Sequence, residues 1–238
     1  MIKIENVVLA SPEQMKFIIQ GMRNPLNSWE KSDSDIARVG SDDGIFITSS
    51  SINNFELGEN DHDLMRRLAK AGTDHRKFMR MMPVYVRITA PLYFWKEYDT
   101  YKVGTVANSC STMHKIQERT FTLKDFSTEH LMTSRDFTMY APTQYRFSSM
   151  DLLNLEIEVL NQHREKYLET GEKIYWWQMI QLLPSSYNQT RNVMTNYEVL
   201  ANMYKSRKEH KLHEWREFCK WIEELPYSEL ISGKEVND

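Results

Sequence analysis

Apolar and polar positions alternate along IKIENVVLA (2–10), the period of a strand with one buried face. The period then changes. Ser11-Pro12-Glu13-Gln14 reads as a helix start: serine caps, proline suits the first helical position, and Gln14 stands at the capping-box position. That helix is expected to run to about Gly21. Residues 23–60 are rich in Asn, Ser, Asp and Gly and predict a long loop, with one strand-like insert at Ile45-Phe46-Ile47. Asp61 to Ala71 carries Leu64 and Leu68 and predicts a helix ended by Gly72. MPVYVRITA (82–90) predicts a strand with Val84, Val86, Ile88 and Ala90 on one face and Tyr85, Arg87 and Thr89 on the other. Pro91 is placed to start a helix over 91–101, and residues 102–147 read as irregular.

From Ser148 the pattern turns helical. Leu153, Ile157, Leu160 and Tyr167 keep one face of a long helix that Gly171 breaks. EKIYWWQMIQLL (172–183) predicts a second helix, stopped at Pro184. Thr195 is expected to cap a third, with Leu200 and Met203 inward, and Leu212, Trp215, Cys219 and Ile222 mark a fourth. Strands early and helices late predict an α+β fold, a small antiparallel sheet with helices followed by a helical C-terminal half. No repeat, low-complexity tract or linker divides the 238 residues, so one domain over 1–238 is expected.

Composition narrows the setting. Apolar residues at 41% and charged residues at 26% fit a soluble globular chain. No apolar run approaches the roughly 18 residues that span a bilayer. Glu5 interrupts any signal-peptide core, and two cysteines far apart imply no disulfide framework, so a reducing cytoplasm is expected. A net charge of -3 gives no whole-chain reason to bind nucleic acid, although a local basic patch can hold a phosphate.

The densest candidate chemistry lies in YDTYKVGTVANSCSTMHKI (98–116). Asn108, Ser109, Cys110, Ser111, Thr112 and His114 fall within seven positions, directly behind the apolar PLYFW. Cys110 reads as a nucleophile with His114 one helical turn away, or as a small packed cysteine. His75, with Arg76, Lys77 and Arg80, reads as a phosphate grip or as a solvated basic turn. Trp176-Trp177 reads as core packing or as a stacking surface for a heterocycle. The histidines form no H-x-x-x-H or H-E-x-x-H pattern, and no metal site, P-loop or dinucleotide fingerprint is expected.

Two segments carry a resemblance. LMRRLAKAGTDHRKFMRMMPVYVRITAPLYFWKEYDTYKVGTVANSCSTMHK resembles the part of flavin-dependent thymidylate synthases that leads into R-H-R-x-x-S-x-N-E-x-S-x-R. IQLLPSSYNQTRNVMTNYEVLANMYKSRKEHKLHEW is similar to that family's later segment, with Leu183-Pro184, Asn196, Leu200 and Arg207 at matching positions. The likeness covers roughly residues 60–225. It implies the family's fold and reductive methylation of dUMP, or a related pyrimidine deoxynucleotide. It also implies FAD, methylenetetrahydrofolate, a nicotinamide reductant (NADPH) and a homotetramer with sites built from several chains. Carried over residue by residue, His75, Arg80, Lys102, Thr105, Asn108, Ser109 and Asn196 would face the flavin. Ser111, Met113, Glu198 and Arg207 would face the nucleotide.

The departures are specific. Asn108 takes the signature asparagine and Ser111 its second serine, but Ser109 replaces the glutamate and Met113 the last arginine. Tyr101, Lys102 and Val103 take the first three positions. A gapped alternative puts Lys102 third and Thr105 at the first serine. Glu198 stands where the family has a substrate-binding arginine. These losses imply the other outcome of the same likeness, a diverged nucleotide-binding protein with altered or lost activity.

Overall fold

The computed structural model describes residues 2–36, 40–41, 44–45, 55–141 and 143–234. The chain opens with β1 (Lys3–Leu9) and α1 (Pro12–Arg23), then the short strands β2 (Asp35–Ile36), β3 (Gly40–Ser41), β4 (Gly44–Ile45) and β5 (Phe55–Glu56). Next come α2 (Glu59–Lys70), α3 (Lys77–Met81), β6 (Pro83–Pro91), α4 (Leu92–Tyr98) and β7 (Val106–Ser109). The hairpin β8 (Phe137–Ala141) and β9 (Thr143–Phe147) precedes α5 (Ser149–Thr170) and α6 (Lys173–Leu182). β10 (Asn188–Asn196), α7 (Tyr197–Arg207), α8 (His213–Glu223) and α9 (Glu229–Ser232) complete the order.

Four strands form one sheet in the order β1-β6-β10-β7. Arg87 Nη1 donates to Asn192 Oδ1 at 2.9 Å, and Thr89 meets Thr190 through their hydroxyls at 2.7 Å. The paired numbers move in opposite directions, so β6 and β10 are antiparallel. Thr105 opposite Thr195 and Cys110 opposite Thr190 give the same sense for β7. The expected α+β class therefore holds.

The strongest sequence signals correspond to what is observed. Ser11 and Gln14 close the expected capping box on α1, and α5 begins just after Ser148, where the helical pattern was expected to start. Gly171 ends α5 in the left-handed region at φ 72°. Val84, Val86, Ile88 and Ala90 are buried, while Tyr85 is 48% exposed. Three expectations change. The helix expected over 91–101 forms as Leu92–Tyr98, but Pro91 ends β6 and lies outside it, because its fixed φ and missing N–H suit a strand end equally well. β7, β8 and β9 lie within the stretch read as irregular, and all four β7 residues are exposed, leaving no alternation to read. β10 enters the half expected to be helical, and Asn196, not Thr195, caps α7. Ile45 ends β4, while Phe46 and Ile47 lie outside the described residues.

By packing, the chain divides into two units, one formed mainly by 109–191 with 89–98, the other by 4–88, 99–108 and 192–238. In the first, α5 packs on α6. Leu153, Ile157 and Leu160 of α5 and Met179 of α6 close a core over Ile116, Phe121 and Phe126. In the second, α7 packs against α3, α8 and α9, and α2 against α9. A buried ion pair holds the 32–34 segment there. Asp61 is fully buried and accepts from Arg23 Nε at 2.5 Å, from the hydroxyls of Ser32 and Ser34, and from the N–H groups of Asp33 and Ser34.

Candidate functional site

In the second unit the segment after α4 runs alongside α7. At one end Tyr101 meets Arg207, whose Nε donates to the phenol oxygen at 3.0 Å and whose guanidinium lies 5.0 Å from the Trp215 ring centre. At the other end Thr105 reaches Thr195, hydroxyl to hydroxyl at 3.4 Å. Gly104 sits between them at φ +79°, and an added Cβ would lie 3.0 Å from both Asn196 Nδ2 and Val199 Cγ2. Only glycine supplies both that backbone and that clearance. Asn196 is buried, and its Oδ1 accepts from Val199 N at 3.0 Å. Lys102 is exposed, as is Asn108 on β7.

Glu198 follows in the first turn of α7, where the helix N-terminus favours a carboxylate. Its side chain is 5% exposed, and Oε2 accepts from Arg80 Nη1 at 2.9 Å. The same Nη1 donates to the Thr73 carbonyl at 3.3 Å. Glu198 Oε1 is buried without a hydrogen-bond partner among the described residues. His75 is exposed in the turn between α2 and α3, its N–H on the Gly72 carbonyl at 3.0 Å. Thus Arg80 and Glu198 are brought into contact, and Lys102–Thr105 is brought to the start of α7.

Ser109, Ser111 and Met113 belong to the other unit. Cys110 N donates to Thr190 O at 2.9 Å, and Gln189 Nε2 donates to the Cys110 carbonyl at 2.9 Å. Gln189 Oε1 in turn accepts from Arg191 Nε, and the Arg191 guanidinium lies 4.3 Å from the Trp95 ring centre. Ser111 Oγ accepts from the N–H groups of Met113 and His114, at 3.2 and 2.8 Å, closing its own turn. Met113 is 47% exposed, and its carbonyl accepts from Trp176 Nε1 at 3.0 Å. Trp176 packs against the core of this unit, while Trp177 is 46% exposed. Among the described residues no hydrogen bond joins the Cys110 thiol to His114, which removes the support for a nucleophile–base pair.

The second unit also contains a cavity of about 460 Å³ that no motif announced. Among the described residues six basic side chains line it: Arg66, Lys70, Arg76, Lys205, Lys208 and Lys234. One acid among the described residues stands in its wall, Glu229, and it is paired with His62 at 2.7 Å. Arg76 is pinned by its Nε on the Ala69 carbonyl at 2.6 Å. Such a wall is suited to a polyanion, since lysine offers a point charge and arginine a planar fork. The signal existed in the sequence as Arg66/Lys70 and Lys205/Lys208. Those spacings also describe ordinary cations in the last turns of helices. Among the described residues no three His, Cys, Asp or Glu side chains gather as a metal site, and no helix is long and apolar enough to cross a membrane.

No protein-family model matches the sequence, and neither does any curated protein. Solved structures do match. Thymidylate synthase X of Helicobacter pylori, in a crystal structure with FAD and dUMP, aligns with a TM-score of 0.59 at 15% identity, over 97% of this chain and 95% of that one. A second structure of the H. pylori flavin-dependent enzyme, complexed with FAD and dUMP, gives 0.58 at 15% identity, over 97% and 96%. The UMP/dUMP methylase PolB of Streptomyces cacaoi, bound with 5-Br dUMP, gives 0.56 at 14% identity, over 94% and 87%. At these identities the likeness is one of architecture, and the chain has the fold shared by flavin-dependent thymidylate synthase and a UMP/dUMP methylase.

Proposed function

We propose that the chain binds a flavin nucleotide and a pyrimidine deoxynucleotide and reductively methylates dUMP or a close relative. Methylenetetrahydrofolate would be the carbon donor and NADPH the reductant. The observation that carries this reading is the basic cavity between α2, α7 and α9 in a chain of this fold. A chain with net charge -3 gathers six cations around one hollow, and phosphates are the ligands that repay such a concentration. The donor set therefore fits the phosphates of FAD, with Arg66, Lys70, Lys205 and Lys208 to hold them. Bound flavin would supply the hydride, which no side chain can. The chain's own work is to orient the ligands and neutralise their charge.

The residues assigned by resemblance divide in this reading. His75, Arg80, Lys102, Asn108, Ser109, Ser111 and Met113 keep exposed side chains and are proposed to meet ligand. Thr105, Asn196, Glu198 and Arg207 have polar atoms engaged within the chain and would support neighbouring residues instead of meeting ligand. We also propose a homotetramer of a single thymidylate synthase complementing protein-like domain, in a cytoplasmic setting. Large apolar side chains left exposed on α5 (Leu152, Leu155) and α6 (Ile174, Trp177) support the assembly.

A second reading keeps nucleotide binding and drops the methylation. It is favoured by Glu198, a buried carboxylate where the resemblance expects a cation. The absorbance spectrum of the purified protein, followed by dUMP titration, separates the two. Flavin absorbance and dUMP-dependent oxidation of reduced flavin with folate support methylation. Colourless protein that binds dUMP supports the second reading, and protein that binds neither overturns both.

A further inference from the structure

Glu198 engages Arg80 through one end only. Nη1 carries the bond to the carboxylate and the bond to the Thr73 carbonyl. Nε and Nη2 have no partner among the described residues. These two atoms form the side of the guanidinium whose N–H bonds run parallel, the fork that takes two oxygens of one oxyanion. The side chain that presents them is 42% exposed, while the carboxylate that holds it is 5% exposed.

A long arginine in water samples many rotamers, and each must be given up when it grips a ligand. Here the far end is fixed before any ligand arrives. The anchor is itself fixed: Glu198 sits in the first turn of a helix whose cap, Asn196, is buried and bonded. Its second oxygen, Oε1, is sealed from solvent with no donor among the described residues, which keeps it from direct ligand contact. Charge also argues for this division of roles. The carboxylate cancels part of the guanidinium's field, so what remains at the exposed edge is chiefly geometry, two parallel donors for one phosphate or carboxylate.

We infer that Glu198 is a positioning residue, holding Arg80 so that its Nε–Nη2 edge receives an oxyanion of the bound ligand. The inference deepens the function proposed above and rests on its claim that the chain binds phosphorylated ligands. It assigns the acid at 198 a part in binding and removes it from contact with the nucleotide ring. The oxyanion is a phosphoryl group, and its source is either the flavin nucleotide or the pyrimidine nucleotide.

The test compares phosphorylated and unphosphorylated partners by titration calorimetry: FAD against riboflavin, and dUMP against deoxyuridine. The variants are Arg80→Lys, Glu198→Gln and the exchanged pair Arg80→Glu/Glu198→Arg. Wild type is expected to prefer the phosphorylated member of one pair, and that pair names the source. Arg80→Lys keeps the charge but loses the fork, and should reduce the preference about 10-fold. Glu198→Gln keeps an acceptor for Nη1 and should reduce it about 3-fold while leaving riboflavin or deoxyuridine binding unchanged. The exchanged pair keeps an ion pair but buries the cation, so the preference should vanish with folding intact by circular dichroism. Wild-type preference in Arg80→Lys, a surface change that leaves the fold alone, overturns the inference. So does wild-type preference in the folded exchanged pair. Wild type that binds none of the four compounds refutes the function proposed above instead.

Discussion

Between Ser109 and His114 the hydroxyls lie at the surface, and the bonds that Ser111 makes stay within its own turn. The carboxylates of Asp61 and Glu198 lie inside, and their charged partners come from distant parts of the chain: Arg23 for Asp61, Arg80 for Glu198. The first kind of polar group could be paired by water just as well. The second kind has no such substitute, because a buried carboxylate stripped of its partner keeps its whole desolvation cost. A dense polar run therefore says little about what is held in place, while a few scattered charges join distant segments of the second unit.

The two cysteines give the widest contrast. Cys219 is buried, and burial pushes its thiol up to about 12, whereas Cys110 is exposed. Against an ordinary thiol, a shift of that size cuts the reactive thiolate roughly 10³-fold. A disulfide reagent added to native protein should titrate one thiol per chain quickly, and the second only after unfolding. Two fast thiols would erase the contrast.

Asp61→Ala comes next. It strands Arg23 in the interior and should lower stability by about 3–5 kcal/mol, read from urea unfolding. The same site sets an acid sensitivity. Burial pushes the Asp61 carboxyl up, but the hydroxyls of Ser34 and Ser32 and the Arg23 guanidinium outweigh it and hold it below the usual range. A lowered folded value means stability fully present above the unfolded value of about 3.9 and lost as pH falls through the folded one. Asp61→Asn should flatten that acid limb of the stability profile, whereas Ser111→Ala should leave it as it is.

Glu198→Ala should cost about 1–3 kcal/mol, less than Asp61→Ala because Arg80 can turn to solvent once released. Asn196→Ala removes one cap bond and should cost about 1 kcal/mol. Ser111→Ala should change stability by no more than about 0.5 kcal/mol. An equal cost for Ser111→Ala and Glu198→Ala would abolish the distinction between the two regions.

Much of the architecture was legible because it is written locally. The box at Ser11–Gln14, the alternation through Val84–Ala90, the helical pattern from Ser148 and the break at Gly171 each need only neighbouring residues. β10 was hidden because its buried positions are Gln189, Val193, Thr195 and Asn196, which show no apolar period. The basic cavity was hidden for a related reason. Arg66 and Lys70 lie more than 130 positions before Lys205 and Lys208, and only the packing of α2, α7 and α9 makes them one wall. The partner of Glu198 was equally out of reach. Arg191 and Lys205 are its neighbours in sequence, but the fold delivers Arg80 from α3.

β10 passes into α7 without a single intervening residue, Asn196 closing the strand and capping the helix at once. A slip of the strand by one residue would turn its side chains through half a revolution, while the helix behind it turns by only about 100° per residue. No single displacement satisfies both elements. The junction thus acts as an escapement: the ladder of β10 and the rotational setting of α7 can be right only together, so an error in either is detected by the other. The orientation of Glu198, two residues past the junction, is inherited from the register of the sheet.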